Sequence, residues 1–257
     1  MSTETSLAPS APVAGIAPAF SPLYQQIKAL VLQSLQSGEW KPGEPIPSEF
    51  ELAARYKVSQ GTVRKAIDEL AQDNLLVRRQ GKGTFVATHA ERQVQYRFLK
   101  LKPDHGDLNS QGPAQRFIID CKRTRANNDV AKALRLRGGD AVLQLRRVLS
   151  FGDVPTILED IWLPGGPFKG LTAERLSADQ GPMYALFETE FGIRMVRAQE
   201  RLRAVNPSDE EAKLLKIEKH MPLLSVERLA FTYHDTPMEW RRGIYRTDTH
   251  YYDNELN

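Results

Sequence analysis

The sequence predicts an α+β chain in two parts: a small helical unit ending in a β-hairpin, then a larger unit built on an antiparallel sheet. Three observations carry this. Residues 47–86 run through a capped short helix, a tight turn, a second capped helix and a glycine-rich basic hairpin. Residues 96–252 alternate long β-like runs with short amphipathic helices. Within that second part, residues 129–148 overlay residues 210–229 after a shift of 81.

Residues 1–19, rich in Ala, Pro and Ser, read as a disordered leader. The first cation is Lys28, so no positively charged segment marks a signal peptide. A helix is expected over Leu23–Gln36, with Leu23, Ile27, Leu30, Val31 and Leu35 as its buried stripe and Gly38 ending it. Residues 41–45 form an irregular bridge. Ser48 caps the next helix, and Glu51 three residues on completes a capping box. Lys57-Val58 makes the turn and Ser59 caps the second helix. There Val63, Ala66, Ile67, Leu70 and Ala71 share one face, while Gln60, Arg64, Lys65 and Asp68 share the other.

A helix packed on one side, with polar and cationic groups at its exposed N-terminal end, suits a DNA major groove. The hairpin Val77–Val86 then forms a wing whose cations meet phosphates and whose glycines allow close approach. The formal net charge is only +3, so clustering carries the argument. From Arg55 to Lys82 seven cations (55, 57, 64, 65, 78, 79, 82) face three acids (68, 69, 73), a local excess of four. Such a patch attracts phosphate locally and in a salt-sensitive way.

These residues resemble the winged helix-turn-helix of GntR-type bacterial transcription regulators. The resemblance rests on Pro22-Leu23-Tyr24-Gln25-Gln26-Ile27, Pro47-Ser48-Glu49 with Leu52-Ala53, Val58-Ser59 with Thr62-Val63-Arg64, and Gln80-Gly81-Lys82-Gly83-Thr84-Phe85-Val86. It implies a DNA-binding unit over 20–87. The candidate DNA contacts are Ser48, Glu49, Gln60, Gly61, Thr62, Arg64, Lys65, Arg78, Arg79, Gln80, Gly81 and Lys82. Phe50 and Gln60 stand where many members carry Arg, so the preferred DNA sequence differs; Gln favours adenine.

Residues 88–95 read as a polar linker and 96–252 as the second domain. Strands are expected at Gln115–Thr124, Ala141–Phe151, Thr156–Leu163, Ile193–Val205, Leu223–Thr232 and Met238–Arg246, and helices at Asp129–Leu136, Met183–Glu190 and Asp209–Glu218. In the repeat, Ala131 meets Ala212, Leu134 meets Leu215, Leu143 meets Leu224 and Arg147 meets Arg228. Two half-domains around a ligand crevice would produce it; so would two helix–strand units of similar composition.

This half resembles the UTRA effector-sensing domain of the HutC branch of those regulators. The resemblance rests on Arg147, Pro155 and Glu159, then Trp162-Leu163-Pro164, Phe168 with Gly170-Leu171, and Pro237, Glu239, Tyr245, Arg246 and Asp248. It implies a chorismate-lyase-like fold that binds a small metabolite, and it places Arg147, Glu159, Glu239, Tyr245 and Arg246 at the effector. Sugar-phosphate binders of this kind usually carry a second Arg where this chain has Leu149, and Ser and Tyr at Ile161 and Trp162. A carboxylate or amine effector is therefore favoured over a sugar phosphate. Arg147 and Glu159 could equally form a cross-strand ion pair.

The catalytic alternative has less behind it. Histidines 89, 105, 220, 234 and 250 show no metal-ligand spacing, and neither a nucleophile elbow nor a phosphate loop occurs. Glu159 and Glu239 could pair as acid and base only if they converge. No cofactor or metal is expected. The single cysteine, Cys121, excludes an intrachain disulfide and fits a reducing cytoplasm. No apolar run approaches a membrane span. The expectation is a homodimeric, metabolite-responsive repressor whose partners are a palindromic double-stranded operator and a small effector.

Overall fold

A computed structural model describes residues 21–89, 100–105, 114–179 and 181–254. The expected leader and residues 90–95 of the expected linker lie outside the described residues. Helices α1 (Leu23–Gln36) and α2 (Glu49–Tyr56) both pack against α3 (Gln60–Gln72). Ser48 and Glu51 form the reciprocal capping box, and the Ser59 side chain accepts from the Thr62 amide. Lys57 takes a left-handed conformation (φ 54°), which turns the chain sharply between the two helices. Strands β1 (Leu76–Arg79) and β2 (Gly83–Val86) form the wing, pairing Arg79 with Gly83.

Ile27, Val31, Leu35, Leu52, Val63, Ile67, Leu70, Leu76 and Val86 make the core of this unit. Leu23 and Leu30, expected in the buried stripe, are exposed. They fall on the rim of the stripe, and the small Ser34 is buried instead.

The second unit is a six-stranded antiparallel sheet in the order β4-β5-β6-β9-β8-β7. Its strands are β4 (Gln115–Arg125), β5 (Ala141–Phe151), β6 (Val154–Pro164), β7 (Arg197–Val205), β8 (Leu223–Thr232) and β9 (Thr236–Arg246). The repeat is visible as topology. β4, α4 (Asn128–Leu134), β5 and β6 form one unit; β7, α7 (Asp209–Leu215), β8 and β9 form the other. They meet where β6 pairs with β9. Even the helix ends correspond: Asn127 and Ser208 cap the starts, and left-handed Arg135 and Lys216 end them, each pair 81 apart.

Strand alternation gives the sheet two faces. Helices α4 and α7 cover one, packing on Val142, Trp240, Val148 and Leu158. The other carries Leu143, Leu145 and Ile161 beneath α5 (Ala173–Ala178) and α6 (Met183–Phe191). Further along, Leu149, Ile157 and Tyr245 lie beneath a ribbon of β3 (Leu101–Pro103) and β10 (His250–Tyr252). Helix α5 and this ribbon were not expected. Their segments are too short for hydrophobic periodicity to register.

The expected strand Ile193–Val205 begins only at Arg197. Residues 193–196 form a bend that ties the two units together. Arg194, 3% exposed, donates to the carbonyls of Asn74 (3.0 Å) and Leu75 (3.2 Å), just past the end of α3. Its Nε faces Glu188 of α6 at 3.4 Å. Glu188 in turn accepts from the Thr88 hydroxyl (2.8 Å) and the His89 amide (2.9 Å). Thr88 and His89 are thus buried at an interface, not part of a solvated linker. Burial raises the Glu188 pKa, opposed by its hydrogen bonds from His89 and Thr88 and by the Arg194 charge.

Breaking this junction has an expected cost. Arg194→Ala leaves Glu188 buried without its cation, and removing one partner of a buried pair costs about 3–5 kcal/mol. In scanning calorimetry the two units should then melt separately. Arg201→Ala, at an exposed pair with Glu227, should shift the melt by less than about 1 kcal/mol. An unsplit, unshifted transition in Arg194→Ala would show that the junction does not couple the units.

Candidate functional site

Two constellations stand out, one exposed and one buried. The exposed one surrounds the N-terminus of α3, where Gln60, Gly61, Arg64 and Lys65 are solvent-facing and Thr62 is half-buried. Glu49 is its hub. One carboxylate oxygen accepts from Arg64 Nε (2.9 Å) and Gln60 Nε2 (3.4 Å), the other from Arg78 Nη2 (3.1 Å). Helix and wing are therefore held in register by one side chain. Arg78 also meets Asp68 at 2.7 Å. Lys65 sits 3.9 Å over the Tyr24 ring, and Arg79 sits 4.3 Å over Phe85. These contacts pre-orient cations on long, flexible side chains.

At the wing tip, Gly81 (φ 70°) and Gly83 (φ 104°) flank exposed Lys82 and follow exposed Gln80. Ser48 is occupied by its cap, its hydroxyl 2.7 Å from Glu51. An exposed helix N-terminus, a fixed arginine beside it and a cationic wing can meet an anionic double helix.

The buried constellation is a charge ladder on the sheet face beneath α6. Arg147 and Glu159 are direct partners across β5 and β6. Arg147 donates Nε and Nη2 to one Glu159 oxygen, both at 2.7 Å. Arg241 takes the other oxygen at 2.6 Å and forks onto Glu239 at 2.8 and 2.9 Å. Tyr184 of α6 donates to Glu239 at 2.8 Å. Arg228, opposite Arg241 in register, pairs with Glu200 of β7 at 2.5 Å. Gly243 sits opposite Glu159, and the Tyr245 ring lies where a side chain at 243 would project.

The expected ion pair of Arg147 and Glu159 is therefore present, and Glu239 joins it. Tyr245 is buried on the same face. Arg246 is not in the ladder; one residue further along β9, it turns to Asp248 and the Pro155 carbonyl. Arg241, Arg228, Tyr184 and Arg116 of β4 were missed. The signal for Arg241 was available: from Glu239, alternation carries 241, 243 and 245 onto one face.

Burial raises the pKa of Glu159, but Arg147 and Arg241 more than offset it and hold the carboxyl down at about 2. Burial lowers the pKa of Arg241, yet Glu159 and Glu239 leave it well above its ordinary value. Burial raises Tyr184, with the Glu239 charge adding to it. Burial pushes Tyr245 up to about 12. A carboxylate locked between two guanidinium groups keeps its charge and is poorly placed to shuttle protons. The ladder can instead recognise charged groups on a small molecule. Among the described residues, no cluster of His, Cys, Asp and Glu could hold a metal ion, and no helix is long and apolar enough to cross a membrane.

The Glu159 shift has a definite sign. Its folded pKa lies below the unfolded value, so its stabilisation is complete above about pH 4.5 and is lost as pH falls toward 2. Glu159→Gln should destabilise the chain at pH 7 by about 3–5 kcal/mol, since two buried arginines lose a partner. In urea melts the gap to wild type should narrow markedly at pH 3. An equal gap at both pH values would remove Glu159 from the charge balance.

Comparison with known proteins gives a family for each of the two units. Residues 23–86 match the family described as bacterial regulatory proteins, gntR family, and residues 114–251 match the UTRA domain. The HTH-type transcriptional repressor NagR of Bacillus subtilis is 29% identical, covering 90% of this chain and 95% of its own. The histidine utilization repressor of Pseudomonas aeruginosa is 30% identical, covering 88% of each. Among solved structures, the ligand-binding domain of a GntR-family regulator from Bordetella bronchiseptica is 51% identical. It covers 63% of this chain and 99% of its own, with a TM-score of 0.61. The chain belongs to the GntR family, in the HutC branch that joins a DNA-binding unit to a UTRA domain.

Proposed function

We propose that this GntR-family chain is a one-component transcription repressor whose sensor ladder binds a small carboxylate or amine metabolite and thereby releases DNA. It acts as a cytoplasmic homodimer, two winged helices gripping the half-sites of a palindromic operator. The observation that carries this reading is helix α6. Its N-terminal end touches the ladder through Met183 and Tyr184, and its C-terminal half holds the DNA-reading unit through Glu188. A ligand that prefers one placement of α6 biases the placement of α3.

Arg147 offers a carboxylate a charge-assisted contact, and the two glutamates offer one to an ammonium. The likeness to a histidine utilization repressor favours an effector of amino-acid-like chemistry over a sugar phosphate. The ion-paired state of Glu159 and Glu239 favours binding over catalysis.

On the DNA side, Arg64→Ala should weaken operator binding by about 1–3 kcal/mol, and Lys82→Ala should lower the salt slope by about one unit. Mobility shifts on an operator selected from genomic fragments check both, with circular dichroism as the folding control. Unchanged affinity and slope would take these residues off the interface.

On the sensor side, Arg147→Gln should hold DNA normally but need about tenfold to hundredfold more effector for release. Titrating operator release with carboxylate and amine metabolites, wild type beside mutant, tests the whole reading. Release of both proteins at the same concentration would make Arg147 a structural residue only.

A further inference from the structure

We propose that Arg116 is a second cation of the sensor site and that, with Arg147, it selects an effector bearing a single carboxylate. This rests on the sensor reading above and names the ligand group.

Arg116 lies on β4 directly opposite Leu149 of β5. Leu149 is two residues from Arg147, so alternation puts Arg116 and Arg147 on the same face. Arg116 feels the charge of Arg147 and, on the opposing side, the nearby Asp179 carboxylate, then Glu159; Arg241 adds to the repulsion.

Neither arginine has its donors fully used. Arg147 spends Nε and Nη2 on Glu159, while among the described residues Nη1 meets only the Met183 sulfur at 3.5 Å. A thioether is a weak acceptor. Arg116 gives its Nη groups to the carbonyls of Leu176 (2.9 Å), Asp179 (3.2 Å) and Gly181 (2.7 Å). Its Nε is buried and has no hydrogen-bond partner among the described residues.

The charges also fail to balance. Arg116 and the ladder together set Arg116, Arg147, Arg228 and Arg241 against Glu159, Glu200 and Glu239, one positive charge in excess; Arg123 shares the face further along β4, held on the Gly165 and Phe168 carbonyls. That excess sits at Arg116, which among the described residues has no carboxylate within ion-pair distance; Asp179 offers it a backbone carbonyl and only a more distant charge. Burial and the neighbouring Arg147 lower its pKa to about 10, so it stays charged at neutral pH. Arg116 is half-buried with its Nε sealed from solvent, and a cation partly withdrawn from water without a counter-ion is a costly arrangement.

One carboxylate repairs it, with one oxygen on Arg116 Nε and the other on Arg147 Nη1 in place of the Met183 sulfur. A phosphate dianion would overshoot by one charge beside two fixed glutamates. The carbonyls that Arg116 holds lead straight into α6, and Met183 is the first residue of α6. An anion arriving here competes with the contacts that seat that helix.

The test uses the full chain and acetate as the carboxylate probe. Melting temperature is followed against sodium acetate, with sodium chloride at matched ionic strength and phosphate at pH 8 as comparisons. Wild type should show a saturable acetate shift at lower concentration than phosphate. Arg116→Gln should weaken the apparent acetate affinity by about tenfold. If that variant does not fold, Arg116→Lys, whose ammonium can still reach the turn carbonyls, serves the same comparison.

The proposal is overturned by no saturable shift in wild type, by phosphate acting at equal or lower concentration, or by an unchanged response in the Arg116 variant. If only Arg147→Gln loses the response, Arg116 is a clamp on the turn and the sensor reading stands. If neither variant loses it, acetate binds elsewhere and both readings fail.

Discussion

The sensor unit is organised around one carboxylate held between two arginines. Glu159 is fully buried, and the paired charges of Arg147 and Arg241, with Arg228 behind them, make that tolerable. Much of the local structure follows from keeping this arrangement dry and saturated. Gly243 must lack a side chain because the Tyr245 ring roofs the strand there. Glu239 is needed because Arg241 would otherwise have donors to spare. Tyr184 is needed because Glu239 has an oxygen to share, and that hydroxyl fixes where α6 sits.

The second dependency runs outward through α6. A nine-residue helix with the ladder at one end and Glu188 in its C-terminal half is short enough to move as a rigid piece. Glu188 and Arg194 then contact backbone atoms on both sides of the wing, beyond α3 and beyond β2. Backbone partners make the junction a matter of position more than of side-chain identity in the DNA-reading unit. The exposed side of that unit works differently. Glu49 holds Arg64, Gln60 and Arg78 from below, so much of the ordering cost of those long side chains is met before DNA arrives.

The DNA-reading unit was legible in sequence because its signals are local: caps at Ser48 and Ser59, a seam of Val63, Ile67 and Leu70, and glycines in the wing. Strands β5 and β8 were legible end to end because they are long, rich in Leu, Val and Phe, and bounded by turn residues. The ladder was half legible. Arg147, Glu159 and Glu239 were found, while Arg246 was named from the motif resemblance and Arg241, outside that motif, was passed over although it shares a strand face with Glu239. Arg116 and Tyr184 come from elements remote in sequence, and only the strand order brings them to Arg147. The junction was invisible for the same reason: Thr88 and His89 look polar and therefore solvated, but Glu188 lies about a hundred residues away and buries them.

A sensor of this kind has to be stable without its ligand and still be able to answer it. The ladder meets both demands by satisfying most of its charges internally and leaving the weakest contacts at the foot of α6. The Arg147–Met183 contact is a guanidinium against sulfur, and the Arg116 Nε is a buried donor with no partner among the described residues. A ligand gains most where the protein loses least, so these two positions are where binding energy can be converted into movement. The Tyr184–Glu239 bond is stronger and sets the resistance that such a movement must overcome. Coupling between effector and operator is then the difference between those contacts, an amount of the usual order of about 1–3 kcal/mol. That is sufficient to shift operator occupancy several-fold to a hundredfold without unfolding either unit.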